Sequence, residues 1–198
     1  MLKIKSKSLK TALLMSCFGF IASNAFCGGT ISGTVDVTMP KYKKDAVVYL
    51  KGFKAAPQKA VMDQKNLVFL PHVLAVAPGS TVEFINSDKV NHNIFSADAC
   101  KKFNLGTYNP GMSKSILFDK PCVVNLLCNV HSEMSAYVVV TENPYFDVTG
   151  ADGKFTIKNV PAGTYEITAW SEKLKPQGKT MVTVAEGQVA SVALKMAK

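Results

Sequence analysis

The sequence predicts an all-β protein, a Greek-key β-sandwich followed by a small second β-sandwich. Three features point there. After the first 27 residues nearly every segment is a short run rich in Val, Ile, Thr and aromatic residues. The runs are bounded by Gly, Pro, Asn and Asp, the residues that turn a chain. No stretch of useful length repeats its apolar residues with the helical period. Several short strands separated in this way build sandwiches or barrels.

In chain order, "ISGTVDV" and "DAVVYLKGF" read as strands flanking a turn at residues 40–44. "AAPQKAVMDQKN" is polar and reads as a loop or a single helical turn. "LVFLPHVLAV" reads as one strand, joined to "STVEFIN" through Ala77, Pro78 and Gly79. "HNIFS" follows, then a long loop through Asn109, Pro110 and Gly111, and then the strands "KSILFD", "CVVNLLC" and "AYVVVTE". A second unit begins near "NPYFDVTG". Asp152 and Gly153 form a tight-turn signal, and "KFTIKNV", "GTYEITAWSE", "KTMVTV" and "VASVALKM" supply four more strands. The expected division is 1–27, 28–142 and 143–198. The last part holds a single Trp and few aromatics, so its core is expected to be small and to lean on the first sandwich.

Residues 1–27 read as an export signal. Lys3, Lys5, Lys7 and Lys10 precede an apolar run at 11–21, and small residues allow cleavage near Ala25 or Cys27. The apolar run is too short for a membrane anchor. Cleavage before Cys17 would leave an apolar start instead of a polar tether. The expectation is a periplasmic or secreted protein with no transmembrane anchor once the signal is removed.

All 23 cationic residues are Lys, and there is no Arg. Bidentate contacts with guanine and planar contacts with phosphate are largely the work of Arg, so a nucleic-acid partner is disfavoured. Removing the signal leaves a net charge of about +5, which favours a partner with an acidic surface. Three cysteines then remain: Cys100, Cys122 and Cys128. In an oxidising compartment an odd count implies one disulfide and one thiol with another task. Pairing Cys100 with Cys122 would clamp the segment after "HNIFS" to the start of "CVVNLLC" and leave Cys128 free.

"CNVHSEM" explains what the free thiol is for. Cys128, His131 and Met134 follow one another with two residues between each pair. A thiolate, two imidazoles and a weak thioether form the ligand set of a type 1 copper site, since copper(I) favours soft sulfur and copper(II) favours nitrogen. The second imidazole must come from an earlier strand, and His92 in "NHNIFS" is the candidate. Beside it, Asn93 is placed to hydrogen-bond across the pocket and tie its strand to the ligand loop. His72 in "PHVLAV" falls on the same side as Leu74 and Val76 by strict alternation, which puts it inward and at the metal end. It is either a buried, hydrogen-bonded histidine or a neighbour of the ligands.

"FLPHVLAVAPGSTVEFINSDKVNHNIFS" followed by "LLCNVHSEMSAYVVV" resembles the cupredoxins, the plastocyanin, azurin and amicyanin superfamily. The short ligand loop is most like that of amicyanin, although Ser132 and Glu133 replace an apolar, proline-containing stretch. "DGKFTIKNVPAGTYEITAW" is similar to carboxypeptidase regulatory-like, transthyretin-like (prealbumin) sandwich modules. The pairing resembles exported bacterial proteins described as methylamine-utilisation or plastocyanin-like. The resemblance implies a cupredoxin sandwich holding one copper ion through His92, Cys128, His131 and Met134, and a one-electron carrier rather than an enzyme. A redox partner such as an acidic-surfaced cytochrome or dehydrogenase is expected. The alternatives are a copper carrier or a docking module of a larger redox complex.

Overall fold

The computed structural model describes residues 28–198, and the expected export signal at 1–27 lies outside the described residues. The strands are β1 (Gly29–Val37), β2 (Val47–Leu50), β3 (Lys59–Lys65), β4 (Val68–Leu70), β5 (Val73–Val76), β6 (Ser80–Asn86), β7 (His92–Ser96), β8 (Phe103–Tyr108) and β9 (Ser113–Phe118). They continue as β10 (Cys122–Leu127), β11 (Ser135–Val140), β12 (Phe146–Val148), β13 (Lys154–Val160), β14 (Gly163–Trp170), β15 (Lys175–Pro176), β16 (Thr180–Val184) and β17 (Val189–Ala197). The other regular element among the described residues is a single 3-10 turn, Pro40–Tyr42. No helix of these residues is long and apolar enough to cross a membrane.

Two sandwiches result. One packs the sheet β4-β3-β6-β9 on the sheet β5-β11-β10-β7-β8, and the other packs β12-β2-β14-β16 on β13-β1-β17-β15. This corrects the expected assignment of residues 28–142 to a single sandwich. β1 and β2 belong to the second sandwich, not the first: β1 runs parallel to β17 and antiparallel to β13, while β2 lies between β12 and β14. Parallel strands need a long crossover between them, and here the whole first sandwich lies within that crossover. Residues 29–50 and 143–198 therefore share one core, and 59–140 form the other.

That second core is larger than residues 143–198 alone could build. Ile31 and Val35 of β1 and Val48 and Leu50 of β2 pack with Phe155, Ile157, Ile167, Leu194 and Met196. The opposite side of β2, Val47 and Tyr49, faces the first sandwich in an apolar layer with Val73, Ala75, Tyr137, Val139 and Trp170. β11 serves both sides in the same manner. Ala136, Val138 and Val140 enter the first core, whereas Tyr137 and Val139 face the second sandwich. A strand buried on both faces reads as a nearly unbroken apolar run, which is why "AYVVV" shows no alternation.

Three local expectations change. Residues 59–65 are strand β3, not a loop or helical turn, because they pair with β6 and β4 and bury only Met62 and Gln64. Residues 103–108, expected as part of a long loop, pair with β7 as β8. "LVFLPHVLAV" is two strands, since the chain bends at Pro71 and His72 and passes from the sheet of β4 to the sheet of β5.

The connection between the sandwiches is itself built in. The buried Asn143 donates its side-chain amide to the carbonyl of Leu50 at 2.7 Å and accepts the N–H of Tyr145 at 2.9 Å. If β1 belongs to the second core, Ile31→Ala should cost about 2–5 kcal/mol. Amide hydrogen exchange should then accelerate in β13 and β17 while β10 and β11 keep their protection. Unchanged exchange in β17 would contradict this assignment.

Candidate metal centre

His92 is the first residue of β7 and is fully buried. Cys128 follows the last residue of β10, which lies beside β7, and is 3% exposed. The loop from Cys128 to Met134 joins the antiparallel pair β10 and β11 and is closed by a bond from the Met134 N–H to the His131 carbonyl at 3.1 Å. It folds His131 back over His92. The two rings meet edge to face with centroids 4.8 Å apart.

The donor atoms converge. The Nδ1 atoms of His92 and His131 are 3.1 Å apart, the Cys128 Sγ is 4.0 Å from the His92 Nδ1, and all three lie within 4.8 Å of one another. Donors held about 2.0–2.3 Å from one metal ion are separated by roughly 3–4 Å, so the spacing suits a shared ion. Met134 is 1% exposed and belongs to the same core cluster as Cys128. Two imidazoles, a thiol and a buried thioether, with no carboxylate among them, fit copper and do not suit the hard cations calcium and magnesium.

A carboxylate lies one step behind. The Asp88 carboxylate is 2.8 Å from the His92 Nε2 and also accepts the backbone N–H groups of Asn66 and Leu67 at 2.6 and 2.9 Å. Burial pushes the Asp88 carboxyl up, but the bonds from Leu67, His92 and Asn66 outweigh it and hold the group below its ordinary value. A carboxylate only accepts hydrogen bonds, so the His92 Nε2 carries a proton, and in the neutral ring Nδ1 is the free nitrogen that faces the His131 Nδ1 and the Cys128 Sγ. The sequence reading missed Asp88. An acid four residues before a candidate ligand, in "DKVNH", was the available signal.

The loop carrying Asp88 is pinned by the buried Asn86, whose side-chain amide donates to the carbonyls of Val90 and Tyr108 at 2.9 and 3.3 Å. Tyr108 donates its hydroxyl to the Gln64 side chain. Burial, with the nearby Cys128 and Asp63, pushes the Tyr108 phenol well above its ordinary value, so it stays protonated.

Asn93 and His72 do not take the places that the sequence implies. Asn93 does not bond the ligand loop: consecutive strand residues face opposite ways, and its side-chain amide donates to Asn104 of β8 at 2.8 Å. His72 does not point into the core beside Leu74 and Val76. The bend that separates β4 from β5 breaks the alternation, leaving the side chain 38% exposed with its ring nitrogens 3.2 Å from the Ser135 carbonyl and from the Glu172 carboxylate of the other sandwich. His72 lies edge-on to Tyr137 and bridges the two sandwiches. Cys100 and Cys122 are joined in a disulfide with their Cα atoms 6.5 Å apart, and Cys128 is free.

A Greek-key sandwich with a thiol and two imidazoles converging at one end is the architecture of a cupredoxin. The sequence comparisons agree. Residues 56–141 match the copper binding proteins of the plastocyanin/azurin family, and residues 134–197 match the carboxypeptidase regulatory-like domain. The chain thus carries a cupredoxin domain of the copper-binding plastocyanin/azurin type together with a carboxypeptidase regulatory-like β-sandwich. No curated protein matches it in sequence. Among solved structures it is similar to a purple cupredoxin from Nitrosopumilus maritimus, at 26% identity over 41% of this chain and 99% of that one, with a TM-score of 0.38. A reduced amicyanin variant matches at 24% identity over 41% and 81% of the two chains, with a TM-score of 0.39. The copper-containing nitrite reductase of Thermus scotoductus SA-01 matches at 21% identity over 55% of this chain but only 28% of that one, with a TM-score of 0.41.

Alkylation of the unreduced, metal-free protein tests the cysteine assignment. Cys128 should react only after unfolding, and mass mapping should recover Cys100 linked to Cys122. Three free thiols would remove the disulfide.

Proposed function

We propose that the protein is an exported one-electron carrier with a type 1 copper centre, in which His92, Cys128 and His131 would hold the metal strongly and Met134 weakly. The observation that supports this is the convergence of three donor atoms, two nitrogens and one sulfur, within 4.8 Å of one another. Copper bound there would supply a one-electron Cu(I)/Cu(II) couple.

The residues have separate tasks. His92 and Cys128 are anchored at strand ends in the packed core, so the sandwich would set the donor geometry for a bound ion. Met134, buried in the same cluster, closes the site from within. His131 is only partly buried and gives the electron an exit to solvent. Exposed apolar side chains occur on the ligand loop, at Val130, and on two loops that both bond to Asn86, at Val90 and Met112. Such a surface suits brief docking, and the Lys excess suits an acidic partner such as a cytochrome or dehydrogenase.

Among the described residues, the group of His, Cys and acids with metal-holding geometry is this one. Copper delivery, the alternative, requires ready metal exchange, which the burial of His92, Cys128 and Met134 opposes.

Copper loading tests the proposal. The loaded protein should be intensely coloured by thiolate-to-copper charge transfer, and Cys128→Ser should abolish that absorption while circular dichroism still reports a folded sandwich. A coloured Cys128→Ser protein would refute the assignment. Met134→Leu should keep the colour and raise the reduction potential, because loss of a weak sulfur donor destabilises copper(II) more than copper(I). Protein-film voltammetry measures this, and an unchanged potential would exclude Met134 as a ligand.

A further inference from the structure

We infer that Asp88 is the positioning residue of the centre: its carboxylate holds His92 in the Nε2–H tautomer, strengthens Nδ1 as a donor, and so biases the bound metal towards its oxidised form. The inference rests on the copper reading and adds a residue and a direction of tuning to it.

The carboxylate has no spare capacity. Oδ2 faces both the His92 Nε2 and the Leu67 N–H, and Oδ1 accepts the Asn66 N–H. Asn66 and Leu67 have φ values of 57° and 60°, the left-handed region that Asn enters readily but that a Leu adopts only when its surroundings hold it there. One acidic side chain therefore fixes both the tight turn between β3 and β4 and the imidazole of a ligand. His92 is fully buried, and Asp88 is the partner that its Nε2–H has in the structure. An uncharged amide at position 88 cannot replace it. Asparagine offers one acceptor oxygen and an NH2 group, so either a turn N–H or the His92 Nε2–H would meet a donor. Facing the ring, that donor would favour the opposite tautomer, which places a proton on Nδ1, the atom directed at Cys128. A carboxylate on the far nitrogen of a ligating histidine also raises its basicity, and a stronger nitrogen donor favours copper(II) over copper(I).

A purely structural Asp88, serving only the turn, is the rival account. Three measurements on the full chain separate the two: copper(I) and copper(II) affinities with the reduction potential, thermal stability, and imidazole 15N shifts of the copper-free protein. The unaltered protein should show His92 as the Nε2–H tautomer. Asp88→Asn should lose that preference and bind copper(II) about 10–100-fold more weakly, with a smaller loss for copper(I). Each tenfold change in the ratio of the two affinities raises the potential by about 59 mV. Leu67→Gly, which relaxes the turn and leaves the Asp88–His92 pair in place, should change neither tautomer nor potential. An Asp88→Asn protein that is only less stable, with tautomer and potential unchanged, would overturn the inference and leave the copper reading intact. If the unaltered protein takes up no coloured copper, both fall.

Discussion

The sheet β5-β11-β10-β7-β8 is apolar on both faces where β5, β11 and β10 cross it, and the rest of the molecule depends on that double burial. One face closes the copper-type core through Ala136, Val138 and Val140, and the other receives Val47, Tyr49 and Trp170 from the second sandwich. A strand in this position cannot slip by one residue without reversing both faces. The register of β10 on β11 is therefore fixed from two sides. Since the loop from Cys128 to Met134 joins these two strands, its ends are fixed as well.

The site inherits its rigidity from this sheet. His92 stands on β7, next to β10, and the disulfide from Cys100 to Cys122 ties the segment after β7 to the start of β10 at the far end. The two segments that bring the thiol and the buried imidazole together are thus held at both ends. Electron carriers need this constraint, because movement of donors between oxidation states slows transfer. Around His92 the polar groups form a short chain with defined direction. Backbone N–H groups hold Asp88, Asp88 accepts from the buried ring, and the ring turns its free nitrogen inward.

The second sandwich does not hang from a flexible linker. Asn143 is buried and hydrogen-bonded into β2, and His72, Tyr137, Trp170 and Glu172 extend the contact on the metal side. The carboxypeptidase regulatory-like sandwich adds no His or Cys of its own, so its contribution to the site is one of position.

What the sequence determined was local. Cys128, His131 and Met134 lie on one seven-residue loop, so their convergence follows from a single turn and could be read from spacing. His92 followed from the need for a second nitrogen, and the Cys100–Cys122 pair from counting thiols. What the tertiary structure decided was non-local. The partners of β1 and β2 lie at the other end of the chain, and the alternation inside "ISGTVDV" is the same whichever sandwich buries it. His72 was misplaced because alternation holds only within one strand, and Pro71 begins a bend that moves the chain to another sheet. Asp88 escaped notice because an acid in a polar loop looks solvated until the turn at Asn66 and Leu67 folds over it. Side-chain periodicity records which residues are buried, but only packing between distant segments fixes what they are buried against.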